Sequence, residues 1–414
     1  MLRPQTDKCR FCQENIDQVR NLGELYSCGI FPSAVDQKVD SGWLSIGICV
    51  GCGLVQLLED YDHTKLYTES YGYRSSLNES MVAHLDSIAD EISEYLTCVP
   101  NCDSIKHLDI GSNDATLLNQ VRSKYGSQKI ELTQLGIDPS GGGFRKYYET
   151  AELVVEPFQY SLAKSLSSKF QVISSIAMFY DLPDPVDFVN GIKLALDTNG
   201  IWISEQSYFF RMIEQNAFDT ICQEHLEYYS VRDVSNICLK VGLELFDVKF
   251  NDTNGGSFRF YVQHIGGSNT KTERLEKVLL EEATKDKKQL LEQMFEQVDI
   301  LRKNLVAYLI ECKDRGLEVH GYGASTKGNT LLQFFGITAD LLPYIAERNE
   351  DKFGKLTPGT LIPIVSESES KNRNPYAYVV LPWHFRSAVL LREAAYIKST
   401  NVKFVFPLPE LEIV

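Results

Sequence analysis

Residues Ile105 to Gly126 read IKHLDIGSNDATLLNQVRSKYG: a short apolar run, a glycine turn, then apolar residues at helical spacing. A second strand, ELTQLGIDPS from Glu131, runs out near Asp138, where a doubly wound fold carries an acidic ribose ligand. FQVISSIAMFY from Phe170, a helix over 186–196 and GIWISEQSYF from Gly200 continue the alternation. Strands alternating with helices predict an α/β domain with a parallel, doubly wound sheet, whose ligands lie beyond the strand C-terminal ends. Gly111 lets the backbone approach a ligand closely, and Asp138 can accept hydrogen bonds from two ribose hydroxyls, which together describe an adenosyl group. Asp109 through Ala115 departs from the dinucleotide fingerprint G-x-G-x-x-G. Asp109 suits instead the cationic amino acid end of S-adenosylmethionine, with Ser112 and Asn113 completing the turn.

The whole chain sets the frame for this domain. Its 414 residues exceed what one hydrophobic core organises, so two or three domains are expected. With 41 basic against 56 acidic residues the net charge is −15, and no basic stripe exists to track phosphates, which argues against a nucleic-acid partner. No segment approaches the roughly 20 apolar residues that cross a bilayer, and MLRPQTDKCRFC lacks the apolar core of a signal peptide. A cytoplasmic protein with no membrane partner is expected, and its ten cysteines then read first as thiols or metal ligands.

Cys9-Arg-Phe-Cys12 and Cys49-Val-Gly-Cys52 are two C-x-x-C knuckles able to present four thiolates to one Zn²⁺. Gly51 and Gly53 flank the last cysteine and allow the tight turn such a knuckle needs. A closed site of four thiolates leaves no open coordination position, so this zinc is expected to be structural. Cys28 lies between the pairs as an alternative ligand, while Cys98, Cys102, Cys222, Cys238 and Cys312 read as small core residues.

Further landmarks follow in order: CGLVQ closing the second knuckle, YGYRSSLNESMVAHL from Tyr71, DIGSND from Asp109, FDTICQEHLEYYS from Phe218, NGGSFRFYV from Asn254, GYGASTKGNTLL from Gly321 and PGTLIPI from Pro358. In this order the chain resembles the sugar C-methyltransferases that act on nucleotide-linked keto sugars and install the branching methyl of 3-C-methyl deoxysugars. The resemblance implies a zinc-binding domain over 1–66 and a class I methyltransferase domain using S-adenosylmethionine over 67–266. A helical linker and a Rossmann-like domain that helps hold the sugar nucleotide would occupy 267–414. The chain departs from the family at Ala115, where glycine is frequent, and at Cys222 and Gln223, where an aromatic and a histidine are frequent.

Attaching a methyl to carbon needs a carbanion equivalent, and His225 is the candidate base that strips a proton beside a ketone. Glu224 orients the imidazole or bonds a sugar hydroxyl, and Tyr71 and Tyr73 are candidates to hold the developing oxyanion. On local chemistry Tyr228 and Tyr229 are packing residues, and Asn254 and Gly255 open a hairpin that the resemblance brings toward the sugar. From Thr270 to Cys312 apolar residues at helical spacing predict one or two long helices, whose stripe could pack inside a monomer or meet a second copy in a homodimer. LEVHGYGAST then predicts a strand ending at Gly321-Tyr322-Gly323 and a helix near Thr326, with Ser325 and Lys327 beside the diphosphate of a nucleotide-linked keto sugar. Alternatives are O- or N-methylation of a sugar, an NAD-dependent nucleotide-sugar dehydrogenase built on GYGAST, and a zinc-ribbon module that binds a macromolecule.

Overall fold

The computed structural model describes residues 2–3, 6–61, 74–98, 104–126 and 131–414. The N-terminal unit is antiparallel, built on β1 (Ile16–Tyr26), β2 (Ser41–Cys49) and β3 (Val55–Leu57). A helix α1 (Glu79–Thr97), capped by the Asn78 side chain, leads into the second unit. There β4 (Ser104–Ile110), α2 (Thr116–Tyr125), β5 (Glu131–Ile137), the edge strand β6 (Glu152–Val154), β7 (Phe170–Ile176), α3 (Pro185–Ala195) and β8 (Leu196–Ser207) alternate as expected. The three residues of β6 are too short to carry a period, so the sequence pattern does not reveal them.

Residues Glu227–Tyr228 form β9, and α4 (Val231–Val241), β10 (Leu243–Asn251) and β11 (Ser257–His264) follow. The seven-stranded sheet runs β10-β11-β8-β7-β4-β5-β6, parallel except for β11. An antiparallel strand inserted beside the fifth strand of a doubly wound sheet is the class I methyltransferase topology. The strand β9 leaves this domain altogether and pairs with β3, Glu227 opposite Gln56 and Tyr228 opposite Val55, as the fourth strand of the N-terminal sheet.

Two helices, α5 (Glu273–Ala283) and α6 (Lys287–Asp314), lie between the sheets. Glu282 of α5 is buried and accepts from the backbone N–H groups of Val231 (3.0 Å) and Arg232 (2.7 Å), satisfying the first turn of α4. The third unit holds β12 (Val319–Tyr322), α7 (Thr326–Phe335), β13 (Ile345–Glu347), β14 (Ile364–Ser366), β15 (Ala377–Val380), α8 (Arg386–Thr400), β16 (Lys403–Phe406) and β17 (Glu412–Ile413). Their order is β14-β13-β12-β15-β16-β17, parallel except for β17, which is a Rossmann-like sheet. One contiguous apolar cluster runs from Ile46 and Val55 through Trp202 and Phe260 to Leu331 and Phe404, so the three sheets share a core. Among the described residues no helix is long and apolar enough to cross a membrane.

A buried ion pair ties the first unit to the second. Arg10, inside the first cysteine knuckle, donates to the carbonyls of Leu57 (2.6 Å) and Glu59 (2.8 Å) and lies 3.7 Å from the Glu227 carboxylate. Glu227 is 1 % exposed, and burial pushes its carboxyl well above the usual range. Removing one member of such a pair strands the other without solvent or partner. Arg10→Met is therefore expected to destabilise the protein by about 3–5 kcal/mol, and Glu227→Gln in the same chain to recover part of the loss, read as shifts of the melting temperature. Equal melting temperatures for the single and double variants would remove this coupling.

Candidate active site and metal centre

The four knuckle cysteines converge. Cys9 Sγ lies 3.6 Å from Cys52 Sγ, Cys12 Sγ lies 3.3 Å from Cys49 Sγ, and all four sulfurs are within 4.8 Å of one another. Tetrahedral zinc with bonds of about 2.3 Å spaces its sulfurs by about 3.8 Å, so this donor set fits the ion. Backbone N–H groups of Phe11 (3.4 Å) and Cys52 (3.5 Å) point at the sulfurs, and a side chain on Gly51 would start 2.8 Å from Glu14 Cγ. Cys28 does not join them. It is buried beside Cys222, away from the knuckles. Cys98 is exposed, Cys238 and Cys312 are buried as expected, and Cys102 lies outside the described residues.

The cofactor turn sits at the end of β4. Gly111 adopts φ +72°, and a side chain there would begin 3.0 Å from Met178 Cγ, so glycine is required by both conformation and space. Asn113 and Ala115 also take left-handed φ of 47° and 60°, the latter a conformation that strains a non-glycine residue by roughly 1–2 kcal/mol. Asp138 Oδ2 accepts from the Asn113 N–H (2.8 Å), and Oδ1 accepts from both the N–H (2.7 Å) and the hydroxyl (2.6 Å) of Ser140, so Oδ2 is the oxygen left with a further acceptor site. Asp109 is buried and accepts from Ser174 Oγ (2.6 Å); burial, then repulsion from Asp138, pushes its carboxyl up to about 7. Ser112 departs from the expectation, its hydroxyl sharing a 2.8 Å hydrogen bond with Tyr148. Arg74 and Ser76 close over this turn through Asp114, each at 3.1 Å. Tyr71 and Tyr73, the expected oxyanion donors, lie outside the described residues.

His225 stands on the loop between Phe218 and Ser230, which is held from every side. Phe218 stacks on Phe335 of α7 at 5.2 Å, Gln223 Nε2 donates to the Leu25 carbonyl (2.9 Å), and the Leu226 N–H donates to the Tyr180 carbonyl (2.8 Å). The ring of His225 meets the Tyr180 ring edge-on at 4.7 Å, and its Nδ1–H donates to the Thr220 carbonyl (2.7 Å). A carbonyl only accepts, so that bond fixes the proton on Nδ1 and leaves Nε2 for other business. Cys222 Sγ, a Glu224 carboxylate oxygen and a ring nitrogen of His225 lie within 4.8 Å of one another. Charges here are strongly coupled. The Cys28 hydrogen bond, against burial and with help from His225, draws the Cys222 thiol well below its ordinary value. Burial opposes a charge on His225, but its acidic neighbours Cys222, Asp181 and Glu224 outweigh it and carry the imidazole up to about 10. Burial, then the neighbouring Cys222, pushes Glu224 up to about 7.

The third unit meets this loop. Lys327 Nζ donates to the Asn254 carbonyl (2.8 Å), and Gly255 lies against Lys327 and His384, so these expected substrate residues come together. Ser325 caps α7, its hydroxyl accepting from the Gly328 N–H (3.0 Å). Tyr322 is turned away: its hydroxyl donates to Glu393 of α8 (2.7 Å), on the far side of the sheet. Trp383 donates to buried Asp219 (2.8 Å), locking the third unit onto the start of the His225 loop. Sequence reasoning missed His84, which bonds Glu205 and approaches Thr253 Oγ1 (3.1 Å), and missed Glu347, which accepts from the Ala324 N–H (2.7 Å) as Asp138 accepts from Asn113. An acid at the end of the second strand was the available signal for Glu347. A cleft of about 490 Å³ between Arg10, Phe11 and Asp187 contains none of these residues, and the cavity of about 20 Å³ beside His225 has room for one water.

One strand end links the two centres. Met178 touches the cofactor turn and Tyr180, two residues on, touches the His225 ring. A doubly wound sheet of this strand order, with the His225 loop packed beside the segment that follows β7, is a class I methyltransferase fold. Comparison with known proteins agrees: residues 252–409 match the family described as "C-methyltransferase C-terminal domain" and residues 9–67 the one described as "Putative zinc binding domain". C-methyltransferase NovU of Streptomyces niveus is 23 % identical over 441 aligned positions, covering 100 % of this chain and 98 % of that protein. Among solved structures, the Haloferax volcanii methyltransferase in complex with its Trm112 activator is 13 % identical, with a TM-score of 0.34 over 44 % of this chain and 94 % of that one. The plantazolicin methyltransferase BpumL in complex with SAH is 11 % identical, with a TM-score of 0.35 over 45 % of this chain and 86 % of that one. Residues 252–409 thus match a C-methyltransferase C-terminal domain and residues 9–67 a zinc-binding domain, and the expected cofactors, S-adenosylmethionine and structural zinc, agree with these matches.

Cys49→Ser is expected to abolish zinc retention and to lower the melting temperature, because the knuckles position Arg10 and the strands that accept β9. Metal analysis of the purified protein should give one zinc per chain, and a metal-free protein with unchanged melting would remove the site.

Proposed function

We propose that this protein transfers the methyl group of S-adenosylmethionine to C3 of a nucleotide-linked 4-keto deoxysugar through a base-generated enolate. The observation that supports the reading is the segment after β7, in which Met178 lies beside Gly111 and Tyr180 packs on the His225 ring. The cofactor, when bound, supplies an electrophilic methyl on a sulfonium.

The chain's own residues would do the rest. Asp109 would neutralise the cofactor's ammonium and Asp138 would accept from its ribose, as their places at the ends of β4 and β5 allow. On the other side of the chamber Lys327, with the N-terminus of α7, would bind the diphosphate of the sugar nucleotide, and Asn254 and Gly255 would line the sugar. The His225 loop, with Glu224, would remove the C3 proton, the electron pair of that C–H bond moving into the enolate. Tyr71 and Tyr73 keep their proposed part as donors to the enolate oxygen on the strength of the sequence. Closure by Arg74 and Ser76 over the turn would exclude water, which strengthens each of these electrostatic contacts.

His225→Ala is expected to lower turnover by ~10²–10⁴ with little change in cofactor affinity. Incubation of the keto sugar nucleotide in deuterium oxide without the methyl donor should place deuterium at C3, and exchange absent alongside an O- or N-methyl product would favour the rival chemistry. Cofactor affinity carries its own test. A carboxyl raised to about 7 must lose its proton to meet a cation, so affinity should rise with pH through about 7 and flatten above it. Calorimetric titrations between about pH 6 and about pH 8 should show that rise in the unsubstituted protein and lose it in Asp109→Asn.

A further inference from the structure

We propose that Glu205 and His84 are positioning residues: together they hold Thr253, and with it the turn over 254–256 that meets Lys327. That the turn lines the sugar rests on the reading above; the pair supplies what sets its place.

Glu205 stands near the end of β8, paired with Ile176 of β7 on one side and Arg259 of β11 on the other, and is 3 % exposed. A carboxylate this buried needs partners, and Arg259 Nε at 2.9 Å already supplies a counter-charge. Two further donors nevertheless reach it: Asn251 Nδ2 (2.9 Å) and the ring of His84, from α1. Burial opposes a charge on Glu205, but the His84 hydrogen bond and the Arg259 charge outweigh it and hold the carboxyl below its usual range.

Both of the additional donors lead to the same residue. A carboxylate only accepts, so His84 Nε2 carries a proton and the ring turns Nδ1 to the Thr253 hydroxyl at 3.1 Å. A hydroxyl donates to a neutral ring and accepts from a charged one, so this bond survives either state. The Asn251 amide, whose nitrogen serves Glu205, takes the Thr253 N–H on its oxygen (2.9 Å). Ser257 Oγ donates to the Thr253 carbonyl (2.9 Å). Beyond Thr253 the chain takes three positive φ angles in succession, 55° at Asn254, 92° at Gly255 and 118° at Gly256. Such a run is not selected by the chain itself, so contacts outside the turn must select it. Glu205 is fixed at its main chain as well. Its carbonyl accepts from the Ala177 N–H (2.7 Å), one residue before Met178, which lies beside Gly111. One residue thereby sets the turn at Lys327 relative to the segment beside the cofactor turn.

Thr253 is half-buried, so its variants test the link without stranding a buried charge. Thr253→Val removes the hydroxyl and keeps the shape. It should raise KM for a keto sugar nucleotide by about five- to tenfold, the size of one net hydrogen bond, more than it lowers kcat and with cofactor affinity unchanged. Thr253→Ser should keep the unsubstituted value, His84→Ala should match Thr253→Val, and the double variant should be no worse than either. Equal losses in Thr253→Ser and Thr253→Val, or losses in His84→Ala and Thr253→Val that multiply, overturn the proposal. A second readout needs no substrate: backbone hydrogen exchange over 252–257, followed by mass spectrometry, should quicken in His84→Ala and Thr253→Val but not in Thr253→Ser, while β8 stays protected. Unchanged exchange over that turn overturns the proposal equally. Quickened exchange in a chain that turns over no keto sugar nucleotide would uphold the positioning pair and sink the proposed substrate, so the two failures are distinct.

Discussion

Where the backbone of residues 218–230 finds its hydrogen-bond partners decides the organisation of the molecule. The segment supplies β9 to the N-terminal sheet, hangs from Tyr180 in the methyltransferase sheet, and stacks Phe218 on the third unit. A loop this buried must satisfy its polar groups on protein, because water does not reach it. Its backbone bonds reach the first two units, and the Phe218 stack and the Trp383–Asp219 hydrogen bond hold it to the third, so the three units meet around this segment. The pairing of β9 with β3 also sets register. A slip of one residue would exchange the faces of Glu227 and Tyr228 and carry the preceding Glu224 and His225 with them.

Burial and charge act against each other throughout the chamber. Asp109, Glu224 and Asp219 are all pushed upward by loss of water, and Lys327 downward, so burial raises the cost of a charge at each of them.

The fold was legible where signals were local. Asp109 through Ala115 announces a strand end, a tight turn and a helix start within a few residues, and the two knuckles announce a metal by spacing alone. Alternation of strands and helices then fixes the sheet class. The contacts that make the site were not legible, because they join residues far apart in the chain. Nothing near Cys28 indicates that it meets Cys222, and both read as ordinary small core residues or a spare ligand. Tyr322 read as a ligand contact because it sits between two glycines at a strand end, yet side chains alternate across a strand, and its turn falls toward α8. Glu347 was hidden by the shortness of β13, whose three residues give no period.

A zinc ion remote from the chemistry still belongs to it through Arg10. That residue lies between two of the thiolate ligands, so the metal fixes the backbone from which its guanidinium extends. The guanidinium in turn holds the carbonyls of Leu57 and Glu59 and faces the carboxylate of Glu227, a residue of β9 itself. With the knuckle unformed, Arg10 has no fixed origin, Glu227 is left buried without its cation, and the strand that carries His225 loses its reason to pair. The N-terminal unit thus helps set the position of the His225 loop, since two residues of backbone pairing are too few to hold a loop without such a charge behind them.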